Sequence, residues 1–66
     1  MKTTFASLLR AAREKKNLTP EELGEKAGVH PQVVRKYESG ERQHPRLDVA
    51  AKLAKALGIK VDSLVP

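Results

Sequence analysis

The stretch Thr19-Pro20-Glu21-Glu22-Leu23-Gly24-Glu25-Lys26-Ala27-Gly28-Val29-His30-Pro31-Gln32-Val33-Val34-Arg35-Lys36-Tyr37-Glu38-Ser39-Gly40 decides how this chain folds. Thr19 stands where an N-cap stands, Pro20 fits the first helical position, and Glu22 falls three residues after the cap, which is the pattern of a reciprocal capping box. A helix over about 20–27 follows, with Leu23 and Ala27 turned inward and Gly28 as its stop. His30-Pro31-Gln32 repeats the opening, with a residue that is not a favoured N-cap, and predicts a second helix over about 31–39 ending before Gly40. Counting from Pro20, small residues fall at the fifth position (Gly24) and the ninth (Gly28), and apolar ones at the fourth (Leu23), tenth (Val29), fifteenth (Val34) and eighteenth (Tyr37). Two short helices crossing at a steep angle need this arrangement: a small residue where the backbones meet, glycine at the turn, and apolar residues on both inner faces. Gly24 has a mid-helix cost of about 1 kcal/mol relative to Ala, which close packing at the crossing explains.

Working outward, residues 4–16 place Phe5, Leu8, Leu9 and Ala12 on one helical face, with Arg10, Arg13, Lys15 and Lys16 mostly elsewhere. After the polar loop Glu41-Arg42-Gln43-His44-Pro45-Arg46, the residues Leu47, Ala50, Leu53, Ala54 and Leu57 return at helical spacing until Gly58. Beyond it, Ile59, Val61 and Leu64 alternate with polar residues, which fits a short strand or one helical turn capped by Asp62; an all-helical chain favours the turn. The expected architecture is all-α, a compact five-helix bundle containing a helix-turn-helix motif, with residues 1–66 as a single domain.

Composition agrees and narrows the function. The 66 residues carry 13 Lys and Arg against 8 Asp and Glu, a formal charge of +5, with no cysteine and only Phe5 and Tyr37 as aromatics. A chain of this size buries only about 60% of its unfolded surface, so its stability rests on efficient packing. No uncharged stretch approaches the ~20 residues needed to span a bilayer, and the N-terminus lacks a signal-like apolar segment. The expected location is cytoplasmic, with no membrane partner. The positive balance points to a polyanion. Residues 29–46 hold four Arg and Lys against two Glu, whereas residues 19–28 hold three Glu and one Lys.

At this point the chain resembles the phage repressor and Cro class of helix-turn-helix DNA-binding domains, the XRE-like family. The likeness runs from about Phe5 to Leu64 and rests on Leu9-Arg10, Arg13-Glu14, Leu18 to Gly24, Gly28-Val29, Tyr37-Glu38-Ser39-Gly40, Leu53 to Ile59, Val61-Asp62 and Leu64. It implies double-stranded DNA as partner, a transcriptional regulator as the protein, and the helix over about 31–39 as the element that enters the major groove. It also implies an ion pair between Arg13 and Glu38 that ties the first helix to the third.

With Val34 and Tyr37 inward, the helical wheel turns Gln32, Arg35, Lys36 and Ser39 outward, flanked by Pro31 and Val33. The resemblance assigns base contacts to Pro31, Gln32, Val33, Arg35 and Lys36: Gln bridges adenine, Arg or Lys reaches guanine, and the two apolar residues pack on a thymine methyl. Phosphate contacts are expected from Thr19, His30, Ser39, Arg42, Gln43, His44 and Arg46, the loop contributing both arginines and open backbone N–H groups. At Pro20 the family often has Gln, whose side chain and N–H address a phosphate; Pro has neither, and Thr19 is the substitute.

Other chemistry finds no support in the sequence. His30 and His44 lack metal-ligand spacing, Ser7, Ser39 and Ser63 belong to no nucleophile motif, and no glycine-rich phosphate loop is present. The expectation is no enzyme, no cofactor, no metal and no small-molecule ligand. A homodimer on a two-half-site operator is expected if the chain is a whole regulator, pairing through Val61, Leu64 and Val65; an excised or designed module is the other reading of the length. The alternative function is a protein-interaction module, antitoxin-like or coactivator-like, presenting the first or fourth helix to its partner.

Overall fold

Thr4 opens the first helix: its hydroxyl accepts from the Ser7 N–H at 3.1 Å, and Ser7 Oγ accepts from the Thr4 N–H at 3.1 Å. In the computed structural model, which describes residues 4–42 and 44–65, this box starts α1 (Phe5–Lys15). The helix ends in a turn through Asn17, whose φ of 56° is one that Asn tolerates better than most residues. There the Leu18 N–H returns to the Arg13 carbonyl at 3.2 Å.

The box at Thr19 is closed on both sides, with Glu22 N–H to Thr19 Oγ1 at 3.1 Å and Thr19 N–H to Glu22 Oε1 at 2.9 Å. It starts α2 (Pro20–Ala27), which Gly28 terminates at φ 75°. Then α3 (Pro31–Glu38) begins under a cap from His30, whose Nδ1 accepts from the Gln32 N–H at 3.1 Å. An imidazole nitrogen thus does the work ordinarily given to a Ser or Asp oxygen, a role its poor N-cap ranking conceals. Gly24 explains how tightly the two helices approach. A Cβ there would lie 2.8 Å from the Val29 carbonyl oxygen and 3.1 Å from Pro31 Cα, both backbone atoms that cannot swing aside.

After the loop, α4 (Leu47–Leu57) starts without a side-chain cap at Arg46 and ends at Gly58, φ 71°. The last element is the helical turn favoured over a strand, a single 3₁₀ turn (Val61–Leu64), so among the described residues the bundle has four α-helices and this turn rather than five helices. Nor is Asp62 its cap. The N-cap position belongs to Lys60, whose carbonyl accepts from the Ser63 N–H at 2.9 Å. Four residues cannot complete a longer α-helical ladder, and the turn is held by its one buried side chain, Leu64. Among the described residues no strand is present.

The core is built from every element: Phe5 and Leu9 of α1, Leu23 of α2, Val34 and Tyr37 of α3, Ala50, Leu53, Ala54 and Leu57 of α4, and Leu64. No polar side chain among the described residues is buried with it. Both aromatics meet edge to face, ring centroids 5.4 Å apart and planes at 83°, which joins the start of α1 to α3. Such a pair is worth about 0.5–1.5 kcal/mol beyond the area it buries. The result holds α3 against α1 and α2, while α4 packs on α2 and the terminal turn.

Candidate nucleic-acid interface

Only two faces of α3 are spent on the interior. Val34 and Tyr37 are buried, whereas Gln32, Arg35 and Ser39 are exposed and Pro31, Val33, Lys36 and Glu38 are half-buried. Val33 packs against the rim of the core, so part of its surface is already in contact with protein. The arc open to a partner is therefore polar, centred on Gln32 and Arg35 with Lys36 at its edge.

Glu38, on the side of α3 toward α1, meets Arg13 in a two-pronged ion pair. Arg13 Nε lies 2.6 Å from Glu38 Oε2 and Nη2 lies 2.9 Å from Oε1, while Nη1 donates to the Leu18 carbonyl at 2.6 Å. The two side chains are only 12% and 10% exposed. Hydrogen bonding to Glu38, reinforced by its charge, raises the Arg13 pKa despite the opposing effect of burial, so the guanidinium stays charged. Through this one side chain α1, the turn before α2 and α3 are fixed relative to one another.

Arg35 is not a free side chain. Its Nη2 lies 2.6 Å from Glu21 Oε1 on α2, and both side chains are about half exposed, at 53% and 51%. Sequence reasoning missed this partner because the two residues are 14 positions apart and only the helix crossing brings them together. The place of Glu21 in the first turn of α2, the helix that packs on α3, was the available signal.

The remaining residues fall around this arc. Thr19 and His30 sit at the N-termini of α2 and α3, each engaged in its own cap. Ser39 closes the other end of α3: its hydroxyl donates to the Lys36 carbonyl at 3.0 Å and accepts from the Glu41 N–H at 3.3 Å. The expectation of open loop N–H groups needs correcting here, since the Arg42 N–H donates to the Lys36 carbonyl at 3.2 Å. Two donors of the loop thus satisfy acceptors at the end of α3 itself. Arg42, His44 and Arg46 are exposed; Arg46 Nε lies 3.7 Å from Asp48 Oδ1, a loose contact between two highly exposed groups. Gln43 lies outside the described residues.

The profile of the family described as helix-turn-helix matches residues 9–64, from Leu9 within α1 through α2, α3 and α4 to the terminal turn. The chain belongs to the helix-turn-helix family. This helix-turn-helix chain is also similar to two fungal proteins. Over 53 residues it is 42% identical to multiprotein-bridging factor 1 of Candida albicans, covering 80% of this chain and 34% of that protein. Over 49 residues it is 47% identical to a putative multi-protein-binding factor 1 of Yarrowia lipolytica, covering 74% of this chain and 32% of the relative. The chain therefore spans about a third of the length of the curated relatives it matches.

Among solved structures, the helix-turn-helix chain superposes on hydroxypropylphosphonic acid epoxidase from S. wedmorenis with a TM-score of 0.82 and 30% identity, covering 100% of this chain and 36% of that one. An iron(II) form named HppE gives a TM-score of 0.84 at 31% identity over 97% of this chain and 34% of that one. These matches overturn the expectation that such a chain stands apart from enzymes. The same bundle makes up about a third of a chain solved as an epoxidase, so a helix-turn-helix motif without nucleophile or metal spacing does not exclude an enzyme. Among the described residues no helix is long and apolar enough to cross a membrane.

Proposed function

We propose that this domain binds double-stranded DNA in a sequence-dependent manner by placing α3 in the major groove, as part of a transcriptional regulator acting in the cytoplasm, with residues 1–66 forming one DNA-binding unit. The observation that carries the reading is the outward arc of α3. Gln32 and Arg35 are exposed, Lys36 lies beside them, and the helix bearing them is held to α1 and α2 by its core side and by the Arg13–Glu38 pair. Base-edge contacts fall to Gln32, Arg35 and Lys36, with Pro31 and Val33 at the groove wall for a thymine methyl. Phosphate contacts fall to Thr19, His30, Ser39, Arg42, Gln43, His44 and Arg46, which lie at the two ends of α3, the start of α2 and the following loop.

The Glu21–Arg35 pair supports a specific division of labour. A guanidinium held by a carboxylate at 2.6 Å has one side of its fork occupied and the other available to a base or phosphate. Lys36 and Gln32 are then the readers free to move. Pairing of two copies across half-sites about 34 Å apart would supply the affinity that one module lacks. Leu64 has no part in such pairing, because it is fully buried in its own core; Val65, 61% exposed, remains available.

Selection from a random duplex library, followed by a salt titration on the selected site, tests the reading. A preferred sequence and a fall of log K with log salt near −0.9 per neutralised phosphate are expected. Absence of any preferred sequence, with Gln32→Ala and Lys36→Ala leaving binding unchanged, refutes the assignment of α3. The names of the fungal relatives favour a second role beside the first, contact with other proteins.

A further inference from the structure

We propose that the groove between α2 and α4 is a docking site for an acidic segment of a partner protein, with small apolar side chains spaced between its carboxylates. The groove holds about 410 Å³ and is lined by Lys26 and Ala27 of α2 and by Lys52, Lys55 and Ala56 of α4. The lysines are exposed and the alanines, half-buried, pack against the core. Among the described residues none of the three lysines is in an ion pair, although four pairs form elsewhere on the surface. Lys26 and Lys55 each lie in the last turn of a helix, where a cation offsets the helix dipole. That effect does not account for Lys52, which stands a turn earlier, nor for the convergence of all three over an apolar floor.

The chemistry of the groove selects its occupant. Unpaired ammonium groups at the rim ask for carboxylates or phosphates, while alanine methyls on the floor ask for small apolar groups, and an acidic polypeptide offers carboxylates and apolar groups together. Duplex DNA offers phosphates on a convex surface, while its thymine methyls are recessed in the major groove, away from the backbone that would meet these lysines. The site is also separate from the arc of α3, which packs on α1 and α2, whereas the groove belongs to α2 and α4. The inference is therefore independent of the DNA-binding reading.

The probe is a fluorescein-labelled synthetic peptide of glutamate interspersed with alanine, titrated into the full 66-residue chain with amide chemical shifts as the map. Expected are shifts concentrated at Lys26, Ala27, Lys52, Lys55 and Ala56, and at least about tenfold weaker binding for the double variant Lys52→Glu/Lys55→Glu. That variant changes exposed side chains only and is checked for native far-UV circular dichroism; Lys52→Gln/Lys55→Gln serves in its place if the reversal unfolds the chain. Its salt slope on selected duplex DNA stays that of the parent chain. Shifts centred on Gln32, Arg35 and the Arg42–Arg46 loop overturn the proposal, because they mean that the peptide merely imitates a polyanion at the other face. No binding overturns it as well, and so do groove shifts produced by random-sequence duplex DNA and not by the peptide. Failure of DNA binding at α3 leaves the peptide titration and its shift map intact.

Discussion

Replacing Arg13 with Ala removes three hydrogen bonds at once and leaves Glu38, only 10% exposed, charged and without its partner. An exposed ion pair is worth about 0–1 kcal/mol, whereas breaking a well-buried one costs about 3–5 kcal/mol because the remaining charge is uncompensated. At 12% and 10% exposure this pair lies near the buried end, and the loss of the Leu18 contact adds an unpaired carbonyl. We therefore expect a loss of about 3 kcal/mol or more. A chain of this length has a total stability on the order of 3–10 kcal/mol, so the variant stands close to unfolding. At roughly 4–8 °C per kcal/mol for a small domain, the midpoint falls by at least about 12 °C. Thermal unfolding followed by far-UV circular dichroism measures it. Glu38→Gln keeps the shape and one acceptor; it completes a double-mutant cycle with Arg13→Ala, and reports on the pair alone if the alanine variant does not fold. Because the pKa of Arg13 is raised on folding, its contribution is fully present below the unfolded arginine range and is lost only as pH rises through the still higher folded value. The Arg13→Ala deficit is thus expected to be the same in neutral and mildly alkaline buffer, as far as Arg13 decides it. A loss below about 1 kcal/mol, with no coupling in the cycle, refutes the reasoning and leaves Phe5–Tyr37 packing as the tie between α1 and α3.

Gly24→Ala gains about 1 kcal/mol of helix propensity but forces a Cβ to 2.8 Å from the Val29 carbonyl oxygen, and overpacking of this kind costs about 1–3 kcal/mol; urea unfolding is expected to show net destabilisation. His30→Ala deletes the cap on Gln32 N–H, at a cost of about 0.5–2 kcal/mol, while His30→Asp retains the acceptor and most of the stability in the same assay. Glu21→Gln changes stability by no more than about 1 kcal/mol yet strengthens binding to a selected duplex, since it releases Arg35 and removes a negative charge beside the phosphates; fluorescence anisotropy decides, and weaker binding means that Glu21 holds Arg35 in its working position. Arg46→Ala lowers the salt slope by about 1 across all sequences, whereas Lys36→Ala costs roughly 1–3 kcal/mol at the preferred site alone.

Local chemistry was legible in the sequence, and distant chemistry was not, apart from the Arg13–Glu38 pair that the family resemblance implied. Both limits of α2 and the end of α4 follow from signals within a few residues: Thr19 with Glu22, Pro20, Gly28, Gly58. The box at Thr4 escaped notice because Ser7 takes the place of the usual Glu or Gln, although hydroxyl and carboxylate accept the same N–H. The last element was ambiguous because a four-residue segment carries less than one full period of any pattern. At the interface, the wheel about Val34 and Tyr37 is enough to turn Gln32 and Arg35 outward. Two things needed coordinates. Glu21 reaches Arg35 only through the crossing of α2 on α3, and the loop N–H of Arg42 returns to the Lys36 carbonyl instead of facing outward. In the groove, Lys52 and Lys55 share one face of α4 at i, i+3, but Lys26 stands on α2, 29 positions before Lys55, and no helical period connects it to them.

The edge-to-face pair of Phe5 and Tyr37 also makes the chain its own spectrometer. With one tyrosine and no tryptophan, its emission on excitation beyond the phenylalanine band comes from a single ring, and that ring belongs to α3 but faces α1. A ligand that docks on the outward arc without moving the helix leaves this emission unchanged, while one that tilts α3 away from α1 alters it. Unlabelled protein can thus distinguish rigid docking from helix displacement in a cuvette.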